Sequence, residues 1–295
     1  MPASARFWTL RRLLLALGLI VLAALSVWGM QVLDAKQRLW IFQPSDRSWS
    51  GVNTAGMQDV WIDFRSRDGS DARLHALWMP ASNRQAPLLL YLHGARWNVK
   101  GSSPRIRRLN DMGFSVLAVD YRGFGQSSKT LPSEASATED ARAGWDWLAR
   151  KAPDRPRYIF GHSLGGAIAI DLAASVKDES GVMVESTFTR IADVVSSMRW
   201  GWLPVGPLIT QRFDSVNKVA AIGSPLLVVH GSADPLIPVA LGQQLFEAAQ
   251  EPKRLILVDG ATHHNTQTKA MAMAMAQYRS ALHELFGLNL AKSKS

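Results

Sequence analysis

A chain of 295 residues, 47% of them hydrophobic, has material for one large domain with a deep core and a short appendage. It contains no cysteine, which excludes disulfide frameworks, thiolate metal sites and cysteine nucleophiles. The net charge of +9 raises nucleic acid as a partner, but the basic residues form no nucleic-acid-binding motif, and none is expected.

Leu13 to Leu33 is a run of 21 uncharged, mostly apolar residues preceded by Arg6, Arg11 and Arg12. A bilayer core of about 30 Å takes roughly 20 such residues as a helix, whereas a cleavable signal peptide carries about 7 to 15. Residues 1–35 are therefore read as an N-terminal transmembrane anchor in preference to a signal peptide cut near Ala24 or Ser26. The flanking arginines put the N-terminus in the cytoplasm and the remainder outside it, in a periplasm or its equivalent, and they account for the Arg11-Arg12 pair without a twin-arginine export signal. Trp28 and Trp40 suit the membrane interface. Residues 36–57 read as a stalk.

Gln58 to Arg65 alternates apolar and polar side chains, Arg67 to Ser70 is a turn, and Leu74 to Met79 returns, so the domain opens with a hairpin. Beyond it come short, nearly continuous apolar runs at 87–92, 114–119, 158–160, 182–184, 225–229 and 254–258. Strands covered on both faces look like this. Helical stretches at 105–112, 136–150, 164–176, 239–249 and 266–286 separate most of them, which predicts a mostly parallel sheet with helices on both faces. The Ala and Met run from Ala270 to Ala276 is read as core packing, and Gly287 as the cap of the last helix.

Four loops at strand ends carry chemistry. Gly161-His162-Ser163-Leu164-Gly165-Gly166 follows an apolar strand and opens a helix; small residues are needed because the serine sits on a tight strand-to-helix turn, with the helix amides aimed at any negative charge beside it. His93-Gly94-Ala95 ends the third strand. The amides of Ala95 and Leu164 are the candidate oxyanion hole, and His93 is expected to order its loop. Asp234, in the turn Gly231-Ser232-Ala233-Asp234-Pro235, would orient an imidazole. That imidazole is expected from His263, with His264 the alternative; two adjacent histidines without a carboxylate cluster do not suggest a metal site. The chain order Ser163, Asp234, His263 is that of α/β-hydrolases.

With Asp120-Tyr121-Arg122-Gly123-Phe124-Gly125-Gln126-Ser127 added, residues 58 to 287 resemble the α/β-hydrolase superfamily. Glu185-Ser186-Thr187-Phe188-Thr189 and Phe213-Asp214-Ser215 resemble its small-lid branch of membrane-tethered depalmitoylases, lysophospholipases and serine aminopeptidases. The run Ala95-Arg96-Trp97-Asn98 departs from that branch's more usual Asn-Ala-Gly. The resemblance implies an α/β-hydrolase fold over 58–288, preceded by one transmembrane helix and followed by a tail at 289–295. A small lid would occupy 187–223. It also implies hydrolysis of an ester or thioester through an acyl-enzyme on Ser163, with no cofactor and no metal. Alternatives are an aminopeptidase or acyltransferase on the same triad, or a non-catalytic membrane-bound scaffold. Trp97, Trp200 and Trp202 are the candidate substrate-binding residues for a small acyl ester, thioester or lipid. The cluster Arg96, Lys100, Arg105, Arg107 and Arg108 is read as a solvated face, with anionic lipid as its alternative partner.

Overall fold

The structure is a computed structural model; it describes residues 3–47, 52–198, 201–263 and 271–288, with the backbone alone at 3–11 and 271–275. A helix α1 (Ala3–Phe42) precedes eight strands: β1 (Gln58–Arg65), β2 (Asp71–Met79), β3 (Leu88–Leu92), β4 (Ser115–Val119), β5 (Arg157–His162), β6 (Gly181–Glu185), β7 (Leu226–Gly231) and β8 (Lys253–Val258). Seven helices of the domain are α2 (Ser103–Asp111), α3 (Glu134–Lys151), α4 (Leu164–Ser175), α5 (Ile191–Ser196), α6 (Ser215–Lys218), α7 (Val239–Ala248) and α8 (Met271–Phe286).

The sheet runs β1-β2-β4-β3-β5-β6-β7-β8, with β2 antiparallel to both neighbours and the others parallel. Side chains alternate across a strand, so the two faces of β3 feed two cores. Leu88, Leu90 and Leu92 pack with α3 and α4, and Leu89 and Tyr91 pack with α2 and α8. This double cover explains why β3 to β7 read as unbroken apolar runs, whereas β1 alternates.

Because β3 pairs with β4 on one side and β5 on the other, the connections leave in opposite directions and open a crevice beyond the carboxyl ends of β3 and β5. The loops carrying Ala95 and Ser163 meet there. Ser133 begins α3 through a reciprocal capping arrangement with Ser136. Gly287 ends α8 in the left-handed region (φ 66°), its N–H donating to the His283 carbonyl at 3.0 Å. The side chains of Met271, Met273 and Met275, expected in the core, lie outside the described residues.

Helix α1 contains one stretch long and apolar enough to cross a membrane, with none of its most apolar window buried. It does not stop where a stalk was expected. It continues to Phe42, which is fully buried against Phe124 and Phe213 at ring distances of 6.5 and 5.8 Å. Gln37 donates to the Leu208 carbonyl at 2.7 Å and accepts from the Thr210 amide at 2.9 Å, and Arg38 donates to the Pro132 carbonyl at 2.8 Å. The last turns of α1 are thus docked on the domain by polar contacts that a hydropathy pattern does not reveal.

The approach of α4 to β3 leaves no space for a side chain at Gly165, where a Cβ would lie 2.1 Å from the Leu92 carbonyl oxygen. Neither backbone can yield without disrupting the sheet. Gly165→Ala is expected to destabilise the fold by about 3 kcal/mol or more, read as a lowered urea midpoint of the detergent-solubilised protein.

Candidate functional site

Ser163 sits between the end of β5 and the first residue of α4 with φ 55° and ψ −123°, a region that L-residues rarely adopt. Such a residue costs about 1–3 kcal/mol, which the surroundings must hold in place. They do so in three ways. The Ser163 N–H donates to the Glu185 carbonyl at 2.9 Å, its own carbonyl accepts from the Gly166 N–H at 2.9 Å, and it accepts from Thr187 Oγ1 at 2.8 Å. Gly161 lets the turn close, since a Cβ there would lie 2.2 Å from the Gly165 carbonyl oxygen.

His263 brings Nε2 to 3.0 Å from Ser163 Oγ and Nδ1 to 2.8 Å from Asp234 Oδ2. With Asp234 accepting at Nδ1–H, the neutral ring keeps Nε2 as an acceptor for the serine hydroxyl. The other Asp234 oxygen accepts from the amides of Leu236 and Ile237, both at 2.9 Å, so the carboxylate cannot rotate away. Burial alone would push this carboxyl up, but the hydrogen bond and charge of His263 and the two amides bring it below its ordinary value. Asp234 therefore stays ionised, and the chain hydroxyl, imidazole, carboxylate is continuous. His264 lies outside the described residues.

Ala95 and Leu164 line the same cleft as Ser163 and His263. Leu164 is the first residue of α4, so its amide has no partner within the helix and points out of the helix end. The Ala95 loop is ordered by Asp120, whose Oδ1 accepts from the Val99 N–H at 2.6 Å and lies 3.5 Å from His93 Nε2. His93 Nδ1 faces the Gly94 carbonyl at 2.7 Å, and the Tyr121 hydroxyl donates to the His93 carbonyl at 3.0 Å.

Of the three tryptophans expected to contact substrate, Trp97 lines the cleft, Trp202 does not, and Trp200 lies outside the described residues. Trp202 is 74% exposed, and Leu203 and Leu208 are also exposed. The Gly201 N–H donates to the Met198 carbonyl at 2.8 Å, and the apolar wall comes instead from Phe188, Ile191, Val194 and Met198.

Buried beneath Ser163 is a charged layer that sequence reasoning missed. Glu185, wholly buried, accepts from Arg105 at 2.8 Å and from the Tyr278 hydroxyl at 3.3 Å. A carboxylate ending an otherwise apolar strand was the available signal. The basic cluster is a solvated face only in part: Arg105 turns inward to pair with Glu185, while the exposed Arg96 donates to Gln43 and Arg107 donates to the carbonyls of Asn53 and Ala55. Beside this layer His162 is buried, its Nε2 3.3 Å from the His263 carbonyl, which braces the loop bearing the imidazole. Burial, then the charge of Arg105, holds His162 well below the ordinary histidine value.

The sequence profile "Serine aminopeptidase, S33" matches residues 83–213. An uncharacterized protein of Mycobacterium tuberculosis, Rv2307c, is 32% identical over 259 residues, covering 85% of this chain and 89% of that one. The chain belongs to the α/β-hydrolase superfamily. It is a hydrolase, and its resemblance extends to the lysophosphatidylserine lipase ABHD12 of Xenopus tropicalis, 32% identical over 188 residues, 57% of this chain and 48% of that protein. The esterase Pf2001 of Pyrococcus furiosus has the same fold, with a TM-score of 0.66 over 83% of this chain and 98% of that one at 21% identity.

Burial, the first cause in each case, also lowers His93 and His230, so with His162 three histidines are held neutral in the folded state. The unfolded chain protonates them near pH 6.5, so it binds more protons below that value and stability must fall with pH. His75 opposes this: burial lowers it, but hydrogen bonds and charge from Asp120 and Asp59 raise it on balance. Asp140 opposes it too, burial first pushing its carboxyl up to about 7, so the histidine contribution is read one residue at a time. His230→Gln is expected to make the urea midpoint less acid-sensitive between pH 7 and 5.5 than that of the unsubstituted protein, by up to about 1.4 kcal/mol per pH unit.

Proposed function

We propose that this hydrolase cleaves a carboxylic ester or thioester of a membrane-derived amphiphile through an acyl-enzyme on Ser163. The observation that carries the reading is the unbroken set of hydrogen bonds from Ser163 Oγ through His263 to Asp234. In the first half-reaction Ser163 Oγ bonds to the acyl carbon as His263 Nε2 takes the hydroxyl proton. The carbonyl electron pair moves onto its oxygen, towards the amides of Ala95 and Leu164. The intermediate collapses, the carbon–oxygen or carbon–sulfur bond breaks, and His263 returns the proton to the leaving alcohol or thiol. Water, deprotonated by His263, then attacks the acyl-enzyme and restores Ser163.

The amphiphile follows from the cleft's chemistry. Its volume is about 450 Å³, within the range of small-molecule sites. Its lining joins an apolar group (Phe188, Ile191, Val194, Met198) to a polar and cationic one (Arg96, Arg105, Asn98), and among the described residues no carboxylate lines it. An acyl chain on the first and an anionic or polar head on the second match these surfaces. The Xenopus lysophosphatidylserine lipase is named for an amphiphile of this kind.

The same reading takes α1 as a transmembrane anchor, with Arg6, Arg11 and Arg12 on the cytoplasmic side and the domain outside the cytoplasm. Residues 58–288 then form the catalytic domain and 187–223 its small lid. Trp40 is seven residues beyond Leu33, about 10 Å along the helix, and so lies near the headgroup layer. The exposed Trp202, Leu203 and Leu208 suit contact with that layer better than contact with an acyl chain.

Ser163→Ala is expected to abolish both p-nitrophenyl ester hydrolysis and fluorophosphonate labelling; retention of either refutes the acyl-enzyme. Asp234→Asn is expected to lower kcat by about 10⁴ while labelling persists at a slower rate.

A further inference from the structure

The loop bearing Ala95 contains two consecutive non-glycine residues in the left-handed region, Arg96 at φ 67° and Trp97 at φ 57°. Strain of this kind persists only where neighbouring groups over-determine it. Here those groups belong to the end of α1. The Phe42 carbonyl, one of the last in the helix and so without an intrahelical donor, accepts from the Arg96 N–H at 2.9 Å. Gln43, itself at φ 47°, bridges the two: its Nε2 donates to the Trp40 carbonyl at 3.0 Å and its Oε1 accepts from Arg96 Nε at 2.7 Å. One turn further on, Asn98 Nδ2 donates to the Asp46 carbonyl at 3.0 Å. Trp40 and Ile41 also line the cleft beside Ser163.

We propose that the membrane-proximal end of α1 is a working part of the active site, with Gln43 as a positioning residue that holds the Ala95 amide in line for the oxyanion. The inference rests on the acyl-enzyme reading and goes beyond it, because it assigns to the anchor a part in the chemical step. An amide side chain suits the role because it offers a donor and an acceptor at once, one for the helix end and one for the guanidinium. An alanine at 43 would leave the Phe42 carbonyl in place but release Arg96, so the loop loosens without unfolding. Loosening affects the transition state more than substrate binding, since the oxyanion forms only there.

The test uses the full-length protein in detergent and in liposomes, with a short-chain p-nitrophenyl ester. Gln43→Ala is expected to lower kcat about ten- to a hundredfold with KM changed less than about twofold and the unfolding midpoint little altered. Gln43→Glu, which keeps the acceptor for Arg96 but loses the donor to the Trp40 carbonyl, is expected to recover part of the loss. Gln43→Ala combined with Arg96→Ala is expected to lose no more than Arg96→Ala alone, since the pair acts as a unit. An unchanged kcat in Gln43→Ala, a loss confined to KM, or strict additivity in the double variant overturns the proposal while leaving the acyl-enzyme intact. Activity that survives Ser163→Ala in the same preparation overturns the acyl-enzyme reading and this inference with it.

Discussion

Ser163 is held in a backbone conformation that costs energy, and the architecture around it exists to hold it there. The turn requires β5 to approach α4, and α4 to approach the end of β3, so closely that Gly161 and Gly165 can bear no side chain. The strain of about 1–3 kcal/mol is small beside what α4 contributes by burial. Ile168, Ile170 and Leu172 are each fully buried, and each contributes about 1.5–3 kcal/mol by removal from water. The fold can therefore keep one residue strained, and that residue presents its hydroxyl at the crevice where the sheet's connections diverge.

Around this turn, polar groups are placed by other polar groups in layers. Asp234 is pinned by two amides before it reaches His263, and His162 contacts the backbone of the same histidine. Below them the buried Glu185 meets Arg105 and Tyr278 while its backbone carbonyl accepts from Ser163. Removing one partner of such a pair leaves an uncompensated buried charge, which costs about 3–5 kcal/mol. The arrangement makes the site rigid rather than merely present. Asp120 has the corresponding role on the far side, tying the Ala95 loop to His75 through its second oxygen at 3.2 Å.

The apolar wall of the cleft shows where pattern reading misled. Trp202 looked like a substrate contact because it is large and apolar, but size and hydropathy do not say which way an insert faces. Only packing decided that the cleft draws its apolar side chains from Phe188, Ile191, Val194 and Met198. The basic cluster was partly misread for the same reason: composition displays charges, and only packing shows that Arg105 meets a carboxylate buried in the core. By contrast the strands β3 to β7 were legible because double coverage imposes an unbroken apolar run on each, and the motif loops were legible because tight turns demand glycine beside Ser163.

The residues by themselves determined the α/β class, the apolar span at the N-terminus, and the order Ser163, Asp234, His263 beyond three strand ends. Each of these is local, written in residue types within a few positions of one another. Only the tertiary structure decided the order of the strands, the buried pair beneath the serine, and the joining of the end of α1 to the Ala95 loop. That last junction rests on a carbonyl of the main chain and on one glutamine far away in sequence. Every residue carries such a carbonyl, so nothing in the chain's chemistry marks the one that folding brings to Arg96.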